Sequence, residues 1–178
     1  MEFTHDARLS LQAAAALVNS RTPDTLTTLA DLDAFCARWQ WSGSRTHDAA
    51  ELEDVRALRG RLARFWDSDE QQVVALINVL LREGHALPQL VRHDDFDWHI
   101  HATQDAAPLA VRMTVECAMS MIDVVRAGGV DRLKRCADPD CAQVLVDLSR
   151  NRSRRFCDAG CGNRANVAAY RARRRAAG

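Results

Sequence analysis

With 178 residues, 47% of them apolar and 27% charged, the chain has the make-up of a soluble globular protein with room for one medium domain and a small module. No apolar run approaches the roughly 18 residues that a membrane span requires, and no basic start leads into an apolar leader segment, so a cytoplasmic protein with reduced thiols and no membrane partner is expected. The formal net charge of zero hides a split. Residues 1–129 hold 12 arginines and no lysine against 19 carboxylates, a balance of −7, whereas residues 130–178 hold 12 basic residues against 5 aspartates, a balance of +7. An acidic body with a basic tail is the asymmetry expected when one end meets a polyanion.

In chain order, residues 7–19 form a helix on the strength of Leu9, Leu11, Leu17 and Val18 among alanines. The stretch Asn19–Pro23 ends it, because proline disfavours helix at the residue before it. Thr28-Leu-Ala-Asp31 has the form of a capping box, opening a helix striped by Leu29, Leu32, Phe35, Cys36 and Trp39. After a loop at Trp41–Arg45, a helix over about 48–66 turns Leu52, Val55, Leu58, Leu62 and Phe65 to one face. Ser68-Asp-Glu-Gln71 is a second capping box. Its helix, apolar nearly all round from Val73 to Leu81 and closed at Gly84, is expected at the centre of the domain.

The period then changes to two. Leu87–Val91 precedes the alternating Phe96–Ala102, which predicts a short β-hairpin with Phe96, Trp98 and Ile100 toward the core. Pro108 starts a helix to about Ala127, striped by Leu109, Met113, Cys117, Met121 and Val124 and stopped by Gly128-Gly129. The fold class is therefore α+β: a mostly helical domain over 1–129 with a small antiparallel β element, then a separate module over 130–178.

That module carries the strongest chemical signal. Cys136 and Cys141 are spaced C-x4-C, Cys157 and Cys161 C-x3-C, with fifteen residues between the pairs. Two tight turns carrying two thiolates each provide the tetrahedral donor set of one structural Zn2+. Asp138-Pro139-Asp140 forces one reversal and Gly160 allows the other. From Cys136 onward the large apolar residues number only seven, too few to order about forty residues without a staple. Zinc on four thiolates contributes roughly 10 kcal/mol or more of apparent folding free energy. Disulfides are the rival staple and belong to oxidising compartments.

Other chemistry-bearing residues have plainer explanations. Cys36 and Cys117 lie in helical apolar stripes and read as core, as do Met113 and Met121. His99 and His101 point the same way from one strand, which suits a metal less often than a polar strand face. Asp94, Asp95 and Asp97 cluster at a turn, without the partner an acid–base pair requires. No nucleophile elbow, phosphate loop or dinucleotide fingerprint occurs, and four thiolates close the zinc shell to substrate, so no enzyme activity is expected.

The arginines carry the functional argument. Arg150, Arg152, Arg154 and Arg155 fall in a loop between the zinc half-sites, and a last helix is expected to begin at Cys161. On it, Arg164, Arg171 and Arg175 fall within about 40° of one another, while Val167 and Tyr170 point toward another side that would pack on the zinc knuckle or body. With Arg174, these residues form the candidate nucleic-acid set, unless Arg164 instead pairs with Asp147 and holds hairpin to helix. The competing explanations of the charge are a solvated tail or arginines docked on the acidic front domain.

The four cysteines, Val-Asp147, Ser-Arg-Asn151-Arg-Ser-Arg-Arg155, Cys161-Gly-Asn-Arg164 and Tyr170-Arg-Ala-Arg-Arg together resemble the CGNR-type zinc finger of bacterial proteins. There the finger follows an α+β domain called ABATE, matched more loosely here by Leu17-Val-Asn19, Thr28–Leu32 and Leu58-Arg59. Leu145 stands where an aromatic is expected in the finger's hairpin. The resemblance implies a treble-clef-like finger and a bacterial DNA-binding transcription regulator. Its front domain would sense a small-molecule effector or mediate association as a homodimer, with Asn19, Arg59 and Trp98 as ligand-binding candidates. The alternatives are a protein–protein interaction or oligomerisation module built on the same structural zinc, and RNA binding, which would call for more aromatics than Phe156 and Tyr170 beside the arginines.

Overall fold

The computed structural model describes residues 3–92 and 98–176. Among them are six α-helices: α1 (His5–Asn19), α2 (Leu29–Arg38), α3 (Ala49–Ala63), α4 (Glu70–Glu83), α5 (Leu109–Arg126) and α6 (Cys161–Ala176). Two antiparallel two-stranded sheets join them, β1 (Gln89–Val91) with β2 (His99–His101) and β3 (Leu133–Arg135) with β4 (Val144–Val146). The class is mixed α+β, as the sequence predicts. None of the described helices is long and apolar enough to cross a membrane.

The helix starts follow local chemistry. Thr28 and Asp31 form the expected reciprocal capping box. The second box is formed by Asp69 and Gln72, one residue later than Ser68 and Gln71. The five residues Ser68–Gln72 spell both boxes in overlapping registers, and packing selects between them. Helix α3 ends at Ala63 and gives way to a 3-10 turn over Arg64–Asp67, which buries Phe65 and Trp66.

The central element is α5, which packs against α1, α3 and α4 and buries both its apolar stripe and Thr114 and Ser120. This corrects the expectation for α4. That helix is the shorter and on average the less apolar of the two, and it buries only Val73, Leu76, Ile77 and Leu80 and leaves Val74 exposed, because it packs as an outer layer on α5. Cys36, Cys117, Met113 and Met121 are all core. Burial pushes the two thiols up, to about 11 and about 12, so neither is a ready nucleophile. Arg112, nearly fully buried, donates from Nη1 to the carbonyls of Ser44, Asp105 and Ala107 at 2.6–2.9 Å and pins the loop after α2 to the start of α5. Gly43 sits in that clamp at φ +87°, where a Cβ would fall 2.9 Å from the Asp105 carbonyl.

The first hairpin alternates as predicted, with its sides exchanged. Trp98 and Ile100 are 62% and 49% exposed and Leu90 also faces out, while His99 and His101 are half-buried. Pairing of Leu90 with Ile100 puts both on the outward face. Phe96, Asp94, Asp95 and Asp97 lie outside the described residues.

The second hairpin belongs to the front domain's core. Leu133, Val144 and Val146 join the same apolar cluster as Leu11, Phe65 and Met113. Asn19, the last residue of α1, donates to the Val144 carbonyl at 2.9 Å and accepts from its N–H at 2.8 Å. The Trp66 indole N–H donates to the Leu145 carbonyl at 2.8 Å, and Arg135 forks onto Asp67 at 2.6–2.8 Å. Leu145 is itself buried, so an aliphatic side chain fills that position.

Candidate metal centre and cationic surface

Four cysteines converge just beyond β3–β4. Cys136 follows β3, its N–H bonded to the Gln143 carbonyl, and an Asx turn at Asp138 carries the chain round to Cys141. The Ala137 N–H donates to the Arg155 carbonyl, bringing the segment before Cys157 alongside the first turn. Gly160 adopts φ +77°, a left-handed turn that lets Cys161 open α6. The Sγ atoms of Cys136, Cys141, Cys157 and Cys161 lie within 4.8 Å of one another and are unbridged. Cys157 is 3.5 Å from Cys161 and 3.7 Å from Cys141. Zinc–sulfur bonds of about 2.3 Å at tetrahedral angles set sulfurs about 3.8 Å apart, so the donor set fits one structural Zn2+.

The electrostatics agree. Burial would raise the Cys136 thiol, but hydrogen bonds from the backbone at Cys157 and Asp138 bring it down to about 7. Burial pushes Cys157 and Cys161 up, the latter helped by its neighbouring thiols. A cation must therefore displace protons to be held by all four, which makes metal binding proton-linked. Arg164 donates to Cys161 Sγ at 2.8 Å and to Asp138 Oδ2 and the Ala159 carbonyl, each at 3.0 Å. It thus supports a ligand and bridges the two turns. The expected Arg164–Asp147 pair does not form.

Asp147 has a different task. Fully buried, it accepts from Lys134 Nζ at 2.7 Å, from the Ser149 hydroxyl and N–H, and from the Arg154 N–H. Burial works against its charge, and these donors hold its carboxyl down at about 2. Lys134 also reaches the carbonyls of Arg152 and Arg154, so one ammonium and one carboxylate brace the whole arginine loop. The sequence signal was Lys134 itself, the only lysine in the chain.

The tail arginines divide. Arg152 pairs with Asp131, Arg154 with Asp158 and Arg164 with Asp138. Among the described residues, Arg150, Arg155, Arg171, Arg173, Arg174 and Arg175 pair with no carboxylate and are all exposed, Arg155 lying over the Phe156 ring. After its first turn, α6 stands clear of the body. Val167 and Tyr170 are 48% and 54% exposed, contrary to the packing expected of them, and among the described residues no element of the body packs extensively on α6.

In the front domain, a cavity of about 460 Å³ opens between the start of α1, the residues after α2, the first hairpin and α5. Trp98 lines it. Asn19 and Arg59 do not: Asn19 clasps β4, and Arg59 is held by the Leu26 carbonyl and Asp24. His99 and His101 also face the cavity, their Nε2 atoms 3.1 Å apart, with Asp105 Oδ1 3.9 Å from His101 Nδ1.

Two family models match this chain. One, the ABATE domain, described as "Putative stress-induced transcription regulator", covers residues 11–128, and the other, the CGNR zinc finger, covers residues 132–174. No curated protein matches the chain. A helical front domain of this extent, joined to a four-cysteine centre at these positions, places the chain in the ABATE family with a CGNR zinc finger behind its front domain.

Proposed function

We propose that the protein is a DNA-binding transcription regulator in which the Zn(Cys)4 finger presents the Arg150–Arg155 loop and α6 to the phosphate backbone. The observation that carries this is the set of six exposed, carboxylate-free arginines on a loop and helix braced by the metal centre, Lys134 and Asp147. From Arg150 onward, the three arginines that are paired are held by the finger's own aspartates and by Asp131 just ahead of it, while Arg135 in β3 is taken by Asp67 of the acidic front domain. The front domain senses an effector in its cavity, and α1 and α5 both run from that cavity to the finger.

Fluorescence anisotropy on a random-sequence duplex over a salt series tests the reading. Five or six phosphate contacts, each adding about −0.9, give a logarithmic slope of about −5. Changing Arg171, Arg174 and Arg175 to Ala together flattens the slope by roughly 3 and weakens binding on every sequence alike. An unchanged slope refutes it. The exposed Val167 and Tyr170 favour a second reading, in which α6 docks a protein partner or another copy. In that case the same variant alters oligomeric state and leaves DNA affinity flat.

A further inference from the structure

We infer that Cys141 is the reactive thiol of the four-cysteine centre, a site of two-electron oxidation by a small neutral hydroperoxide, with Cys157 closing the product to a disulfide. The inference goes beyond the DNA reading and stands whether or not α6 meets DNA. It rests on a difference among the four sulfurs. Cys136 and Cys157 are 8% exposed and Cys161 is fully enclosed, whereas Cys141 stands partly open between the exposed Asp140 and Ala142. Hydrogen bonding separates them in the same direction. The Arg164 guanidinium donates to Cys161 Sγ at 2.8 Å, and the Cys157 N–H donates to Cys136 Sγ at 3.5 Å. Among the described residues no N–H donates to Cys141 Sγ, whose neighbours are the other sulfurs, Cys157 Sγ at 3.7 Å. A donated N–H draws off the lone-pair density with which a thiolate attacks, so Cys141 is both the most accessible and the least damped of the four.

When bound, Zn2+ keeps the sulfurs deprotonated at neutral pH. Cys141 Sγ attacks one peroxide oxygen: an S–O bond forms, the O–O bond breaks, and the departing alkoxide or hydroxide takes a proton from solvent. Cys157 Sγ then attacks Cys141 Sγ: an S–S bond forms, the S–O bond breaks, and hydroxide leaves and is protonated by solvent. Two thiolates have lost one electron each, and the peroxide has been reduced to water and an alcohol, or to two waters. The turn that carries Cys141 also holds Asp138 and Asp140, which oppose an anionic oxidant and leave a neutral one unhindered. The donor set then falls to Cys136 and Cys161. The staple on residues 149–176 is lost with it, and the arginine loop and α6 lose their common frame.

Hydrogen peroxide added to the zinc-loaded full chain, with dimedone present to trap sulfenic acid, tests the inference by peptide mapping in a mass spectrometer. In initial rate, dimedone is expected on Cys141 about tenfold ahead of Cys136 and Cys161, the factor that one missing hydrogen bond to a charged sulfur gives, and ahead of the enclosed Cys157. Without dimedone, a chromophoric chelator reads one Zn2+ released for each Cys141–Cys157 disulfide mapped, and dithiothreitol with added Zn2+ reverses both. In zinc-loaded Arg164→Met, labelling of Cys161 rises about tenfold toward that of Cys141. First labelling at Cys136, Cys157 or Cys161, zinc released with a different first disulfide, four thiols left intact by the peroxide, or an unchanged Cys161 in zinc-loaded Arg164→Met each overturns the inference. Should that variant fail to load zinc, the wild-type order of labelling decides alone. DNA is absent throughout, so a chain oxidised in this order that binds no duplex sinks only the DNA reading, and the reverse result sinks only this one.

Discussion

Residues 5–126 and residues 149–176 meet the same requirement, ordering a chain in water, by opposite means. The front helices spread the work over more than twenty buried side chains gathered round α5. Beyond Leu148 the buried cluster shrinks to the metal-site cysteines, with Cys141 and Phe156 against it, and α6 leaves its apolar flank in solvent. Burial distributed in this way loses a few kcal/mol per deletion, whereas order concentrated in four sulfurs is lost as a unit. The β3–β4 hairpin lies on the seam. By sequence it belongs to the finger, yet its apolar residues fill the front domain's core.

The sharpest break between the two regions is metal removal. Chelation, or Cys157→Ser, withdraws a staple contributing roughly 10 kcal/mol, so residues from about 149 onward lose protection in hydrogen exchange while β3–β4 and the helices keep theirs. If chelation melts the whole chain in one transition, the two regions are not separately stabilised and the comparison fails.

A smaller effect is expected at the brace between them. Asp147→Asn leaves the Lys134 ammonium without its carboxylate and costs about 3 kcal/mol in urea denaturation at pH 7. Because the folded carboxyl is depressed to about 2, its contribution is complete above pH about 4 and is lost as pH falls toward 2. The variant's deficit therefore narrows across that window. Asn19→Ala strips both partners from the Val144 backbone and costs about 2 kcal/mol, with the finger's zinc content unchanged. Zinc loss in this variant would mean that the hairpin is held by the metal rather than by α1.

What could be read from the chain divides along the same seam. The metal ligands and the Thr28 capping box were legible because each is a local pattern whose chemistry is complete within a few residues. The side of the first hairpin was not. Alternation says which residues share a face, and only the packing partner decides which face turns inward. Here residues from both faces border the same cavity, the histidines half-buried in it and Trp98 62% exposed. The centrality of α5 over α4 was partly legible, since α5 is the longer and on average the more apolar helix, but how many helices surround each one is not written in either segment. Asn19–Val144 and Trp66–Leu145 join residues 125 and 79 positions apart, with no short-range signature. Arg164 went to Asp138 because the metal site folds the two turns together, while Lys134 had already taken Asp147.

The least expected loss of stability is at Val167 and Tyr170, and it sharpens the comparison most finely. Were α6 packed as its amphipathic pattern suggests, truncating both to Ala would cost several kcal/mol, as core deletions do. With both side chains about half in solvent, the double variant changes the urea midpoint by less than about 0.5 kcal/mol in equivalent stability. A larger loss would show that α6 folds back on the body and that its arginines are not presented outward. An unchanged stability leaves the flank available to whatever the helix meets. The variant then separates two kinds of contact: phosphate binding through the arginines is nearly indifferent to it, whereas a protein partner seated on Val167 and Tyr170 loses the apolar area those side chains offer.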